Sequence, residues 1–101
     1  MEYTKYTIVT FTNPKTHFDD KYSDNEVEFI NDTFAKAALM TSQDKTPGYH
    51  EFAGAGCVKR IWKDQAAAEE WRDFIFATGE KYGVKLSSVE IFDATEEDND
   101  I

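Results

Sequence analysis

With 101 residues, 41% hydrophobic and 15% aromatic, the chain can bury one core and is too short for two domains. Eleven basic residues against twenty acidic ones leave a formal charge of −9, which repels phosphate and argues against direct binding of nucleic acid or of an anionic membrane. The lone Cys57 excludes an internal disulfide, no apolar run nears the ~20 residues of a bilayer span, and the opening Met-Glu-Tyr-Thr-Lys lacks the apolar core of a signal peptide. The expectation is a cytoplasmic protein.

Residues Tyr3 to Thr12 are rich in β-branched and aromatic types and end at Asn13-Pro14, a turn that removes a ladder donor; they read as the first strand. Ser23 precedes Glu26 in capping-box spacing, so a helix starts there. Its apolar stripe is Val27, Ile30, Phe34, Ala37 and Ala38, at spacings of three and four, with Phe29 and Met40 roughly opposite. Gln43 to Gly48 is polar, ends in Pro-Gly and reads as a loop.

Tyr49 to Phe52 is expected to form a short strand, turned by Gly54-Ala55-Gly56 into its partner Cys57 to Lys63. Asp64 suits the N-cap of a second helix with the inner stripe Ala67, Trp71, Phe74, Ile75, Thr78 and Tyr82. Gly83 suits the left-handed position that ends it, and Val84 to Phe92 is the closing strand. Asp93, Glu96, Glu97, Asp98 and Asp100 put five negative charges in the last nine residues. Residues 1–92 are therefore expected to form the single domain, and 93–101 a disordered acidic tail.

This order predicts an α+β, ferredoxin-like βαββαβ arrangement: a four-stranded antiparallel sheet with two helices on one face. Merging residues 49–63 into one strand gives the competing βαβαβ order with a parallel sheet.

Side chains alternate along a strand, so a sheet with one face in water should be apolar on alternate positions only. Here Tyr6 and Ile8 point opposite to Val9 and Phe11, Ile61 opposes Val58 and Trp62, and Val89 with Ile91 opposes Leu86 and Phe92. Two apolar faces predict a homodimer through the sheet, a second copy covering what the helices leave open. Scattered surface aromatics beside Arg60 and Glu90 are the competing explanation.

The strand Cys57-Val58-Lys59-Arg60-Ile61-Trp62-Lys63, the cap Asp64, the run Ala66 to Phe74 and the Pro47-Gly48-Tyr49 lead into the second strand resemble dimeric α/β-barrel proteins of the antibiotic-biosynthesis-monooxygenase type. The resemblance covers about residues 47–76. It implies a ferredoxin-like protomer pairing through its sheet, with a pocket between helices and sheet; some members oxidise aromatic substrates without a cofactor, and others degrade haem. Haem-degrading members place a histidine on the second helix, which has none here, so no cofactor is expected.

Tyr6, Phe11, His50, Trp62 and Trp71 are the candidate ligand-binding residues. The flat rings suit an aromatic or hydrophobic small molecule, and His50 stands beside Glu51, though neighbouring strand side chains point apart. His17 with Asp19 and Asp20 lacks a further ligand, so no metal site is expected. Cys57 has no base beside it and reads as buried and inert, while Gly54-Ala55-Gly56 is too short for a dinucleotide fingerprint. Phe29 and Phe76 are expected on outer helix faces. No catalytic residue is assigned. Two functions follow: a dimeric module that binds, or oxidises, a small aromatic molecule, or a non-enzymatic acidic regulatory protein whose carboxylates mimic nucleic acid.

Overall fold

The computed structural model describes residues 2–12, 22–40, 42–44 and 57–99. Strand β1 is Lys5–Phe11, helix α1 Asp24–Leu39, strand β2 Gln43–Asp44, strand β3 Cys57–Trp62, helix α2 Gln65–Tyr82, strand β4 Leu86–Asp93 and helix α3 Glu96–Asn99. No helix among the described residues is long and apolar enough to cross a membrane.

Both long helices begin where their caps dictate. The Ser23 hydroxyl accepts from the Glu26 N–H at 3.2 Å, and the Glu26 carboxylate accepts from the Ser23 N–H at 2.9 Å. This reciprocal box satisfies two of the N–H groups a helix start leaves open. Asp64 Oδ1 accepts from the Ala67 N–H at 2.9 Å to start α2, and Gly83 ends it with φ 75°, a left-handed conformation that a Cβ disfavours.

The sheet corrects the four-stranded ferredoxin-like expectation. It is built on three antiparallel strands in the order β3-β1-β4, with β2 adding only Gln43 and Asp44 at the β3 edge, opposite Ile61 and Arg60. That two-residue pairing falls in the segment read as loop, because two polar residues carry no strand pattern. The strand expected at Tyr49–Phe52 lies outside the described residues. A third helix, α3, joins the two expected ones.

Helices α1 and α2 pack together on one face of the sheet, where Val9, Phe11 and Trp62 of the strands meet Ala68, Trp71 and Ile75 of α2 in one core. The buried stripe of α1 is Phe29, Ile30, Thr33 and Ala37, rotated by less than one ~100° residue step from the expected one. Thr33 can face inward because its hydroxyl donates to the carbonyls of Phe29 and Ile30 at 2.9 and 3.0 Å, which removes the cost of burying it. Phe29, expected outside, is therefore buried and meets Phe11 edge-on at 6.1 Å, whereas Val27 and Ala38 turn to solvent.

A shift in the β1–β4 register also moves Leu86. Thr10 pairs with Ser88 but Phe11 pairs with Leu86, so Ser87 is an extra residue, and the bulge turns Leu86 onto the helix-covered face with Val89 and Ile91. Alternation alone had placed Leu86 opposite them.

Within the segment expected to be an acidic tail, Glu96–Asn99 forms helix α3. Thr95 N–H donates to Asp98 Oδ2 at 2.8 Å, Asp98 N–H donates back to Thr95 Oγ1 at 3.3 Å, and Asp98 is buried. The reciprocal Thr95–Asp98 bonds have the pattern of a capping box at the start of this short helix.

Candidate functional site

Beneath the two helices, at the β3 edge of the sheet, lies an aromatic layer with a charge inside it. Arg60 follows the strand alternation that Trp62 obeys, so both point under the helices. Arg60 is only 5% exposed, with its guanidinium carbon 4.9 Å from the Phe34 ring centre and 5.1 Å from that of Trp71. Both distances are cation–π contacts, strengthened by removal from water. Phe34 comes from α1, Trp71 from α2 and Arg60 from β3.

Trp62 and Trp71 stand 5.2 Å apart, centre to centre, and Phe74 continues the series 6.4 Å from Trp71. The two indoles differ in their polar ends. Trp62 Nε1 donates to Thr7 Oγ1 at 2.9 Å, while the buried Nε1 of Trp71 has no hydrogen-bond acceptor among the described residues. The buried Ser42 Oγ likewise has no such partner, and Ser42 lies one residue ahead of β2, which brings it level with Trp62 in the β2–β3 register. Above this layer Lys36 of α1 ties to Glu70 of α2 at 3.1 Å and lies 5.4 Å from the Phe74 ring.

Of the residues expected to form a ligand site, Trp62 and Trp71 come together. Phe11 shares their face but sits at the far end of β1, six residues from Lys5, the partner of Trp62, or roughly 20 Å along the strand. Tyr6 lies on the opposite face, stacked on Phe92 at 5.1 Å with Lys59 Nζ 4.2 Å from its ring centre. His50, His17, Asp19 and Asp20 lie outside the described residues, as does the Cys57 side chain. Arg60, Phe34 and Thr7 were missed as site residues. The signal for Arg60 was its two-residue spacing from Trp62, which puts both on one face.

The outer face carries its own cluster. Lys59 Nζ bonds Asp98 Oδ1 at 2.7 Å, and Asp98 Oδ2 accepts from both the N–H and the hydroxyl of Thr95. These bonds, the Lys59 one foremost, hold the Asp98 carboxyl below its ordinary range. On the helix layer, Tyr82 donates to Asp32 at 2.7 Å, which raises the phenol's pKa because the neutral form makes the bond. Among the described residues no three of His, Cys, Asp and Glu are grouped to hold a metal ion. No family model, curated protein or solved structure matches this chain.

Proposed function

We propose that this protein binds a small aromatic acid in the layer between its helices and the β3 edge of its sheet. The observation that carries the reading is Arg60, a guanidinium buried between the rings of Phe34 and Trp71. A planar guanidinium bonds a carboxylate with two parallel donors, and indole and phenyl walls take a flat ring by stacking. The Trp71 N–H and the Ser42 hydroxyl, each without a hydrogen-bond partner among the described residues, offer further polar contacts. Such a site has mostly apolar walls with a few convergent polar groups.

The chain's two tryptophans, Trp62 and Trp71, both lie in this layer, so intrinsic fluorescence reports on it directly. Titration with benzoate, phenylacetate and indole-3-acetate should give saturable changes, and benzyl alcohol, of similar size but neutral, should bind at least about tenfold more weakly. Arg60→Lys keeps the charge but loses the planar fork, and should weaken the acids while leaving the alcohol unchanged. No fluorescence response to any of these acids at millimolar concentration, or equal binding of the alcohol, overturns the reading.

A further inference from the structure

We propose that the outer edge of β4 is an interaction surface that takes an extended, basic segment of another protein as an added strand. The inference is independent of the ligand reading, which concerns the opposite edge of the sheet.

The backbone carries the first step. Ala94 N–H donates to Thr4 O at 2.9 Å at one end of the β1–β4 pairing, and Thr12 N–H donates to Lys85 O at 3.1 Å at the other. An antiparallel pair alternates between residues that exchange bonds and residues that do not. Ser88, Glu90 and Phe92, opposite Thr10, Ile8 and Tyr6, therefore turn their main-chain polar groups to β1, and the N–H and C=O groups of Val89, Ile91 and Asp93 point outward. β4 ends the strand order, and no strand lies beyond it among the described residues. Open edges are commonly blunted by shortness, proline or lysine. At the other end of the sheet β2 is two residues long, whereas β4 runs for eight with neither proline nor lysine. The chain beyond Ala94 leaves this edge free: Asp98 bonds Lys59 of β3 at 2.7 Å, so the segment turns back across β1.

The flanking side chains define what pairs there. Val89 and Ile91 pack only partly against the core. Two positions along a helix are ~200° apart, so Phe76, 43% exposed, lies on the flank of α2 turned away from Phe74, which Lys36 of α1 touches. Because α1 stands over β3 through Phe34 and Arg60, that flank is the β4 side. On the outer face Phe92 is 39% exposed, and the exposed Glu90 has no ion-pair partner among the described residues. Cross-strand neighbours favour opposite charges and aromatic or β-branched pairs. The added strand thus carries apolar residues opposite Val89 and Ile91, a lysine or arginine opposite Glu90, and an aromatic residue opposite Phe92. The net charge of −9 draws such a segment in and opposes a second copy, which would bring the same carboxylate and the same excess charge.

The probe is the acetylated and amidated peptide Lys-Tyr-Val-Lys-Val-Thr, whose antiparallel alignment sets its six residues opposite positions 93 down to 88. Followed by amide NMR at millimolar peptide, it should shift the Val89 and Ile91 resonances and slow their hydrogen exchange. N-methylation of its third residue, whose N–H faces β4, should abolish binding, and N-methylation of its fourth, whose N–H faces away, should leave affinity within about twofold. Glutamate as the fourth residue should weaken binding by at least about threefold, and Glu90→Lys, an exposed substitution, should reverse that preference. No response to the peptide at millimolar concentration overturns the proposal, as does equal sensitivity to the two methylations or a charge preference that Glu90→Lys leaves unchanged. Protection of the Val89 and Ile91 amides without peptide, together with a doubled light-scattering mass, would overturn it too, because a second copy would then hold the edge.

Discussion

Trp62 Nε1 donates to Thr7 Oγ1 at 2.9 Å between the two central strands, and both residues are fully buried. The bond fixes the indole on which Trp71 packs. Thr7→Val keeps the shape of the side chain and leaves the indole N–H without its acceptor, a loss of about 1–3 kcal/mol. Each kcal/mol lowers the Tm of a domain this size by about 4–8 °C. Thr7→Ser retains the hydroxyl and should lose less. Thermal unfolding of the two variants checks the order, and a Val variant as stable as the Ser variant would show that the hydrogen bond contributes little.

Gly79 and Gly83 are needed for different reasons, and alanine at each separates them. A Cβ at Gly79 would lie 2.6 Å from the Val84 carbonyl oxygen, a backbone atom that cannot rotate away. The ~1 kcal/mol that alanine gains over glycine in a helix is then outweighed by an overpacking cost of roughly 1–3 kcal/mol. At Gly83 a Cβ meets nothing within 4 Å, yet φ is +75°. The cost there is conformational only, about 1 kcal/mol. Gly83→Asn, which tolerates the left-handed region better, should recover part of it, whereas Gly79→Asn should be worse than Gly79→Ala. Denaturant midpoints of the four variants decide, and partial rescue by Asn at position 79 would contradict the steric account.

Which parts of this molecule were legible depended on whether the signal was local. Ser23 with Glu26, Asp64, and Gly83 each carry their structural instruction within a few residues, and the helices begin and end there. The α1 stripe was displaced because the count used apolar residues alone, and Thr33 faces inward by bonding its own backbone. Leu86 went to the wrong face because a one-residue bulge inverts every side chain beyond it. Strand β2 left no trace, since two polar residues opposite Ile61 and Arg60 carry no alternating pattern. At the candidate site the two tryptophans were found from their chemistry, but Arg60 entered only as a polar neighbour in the competing explanation of surface aromatics. Its burial follows from long-range packing between Phe34 and Trp71, thirty-seven positions apart in the chain.

The ion pair that anchors the tail should make its contribution to stability depend on pH in one direction. Asp98 has its folded pKa below the ordinary value, chiefly through the bond from Lys59 and next through the Thr95 N–H. The folded state therefore holds the proton less readily than the unfolded chain, whose carboxyl titrates near ~3.9. Stability from this group is fully present above that unfolded value and is lost as pH falls through the depressed folded value. The other charged groups around it are Lys59 on β3, Glu90 on the same face of β4, and Glu96 and Glu97 of α3. Comparing the native chain with Asp98→Asn isolates the contribution of Asp98 from that of its charged neighbours. The native chain should be the more stable of the two by a constant margin from neutrality down to about pH 5, with the margin shrinking below about pH 4. Thermal unfolding of both chains across that range is the measurement. A margin that is unchanged at low pH would mean that Asp98 acts through its helix-capping shape, which Asn reproduces only in part, and not through the charge it offers Lys59.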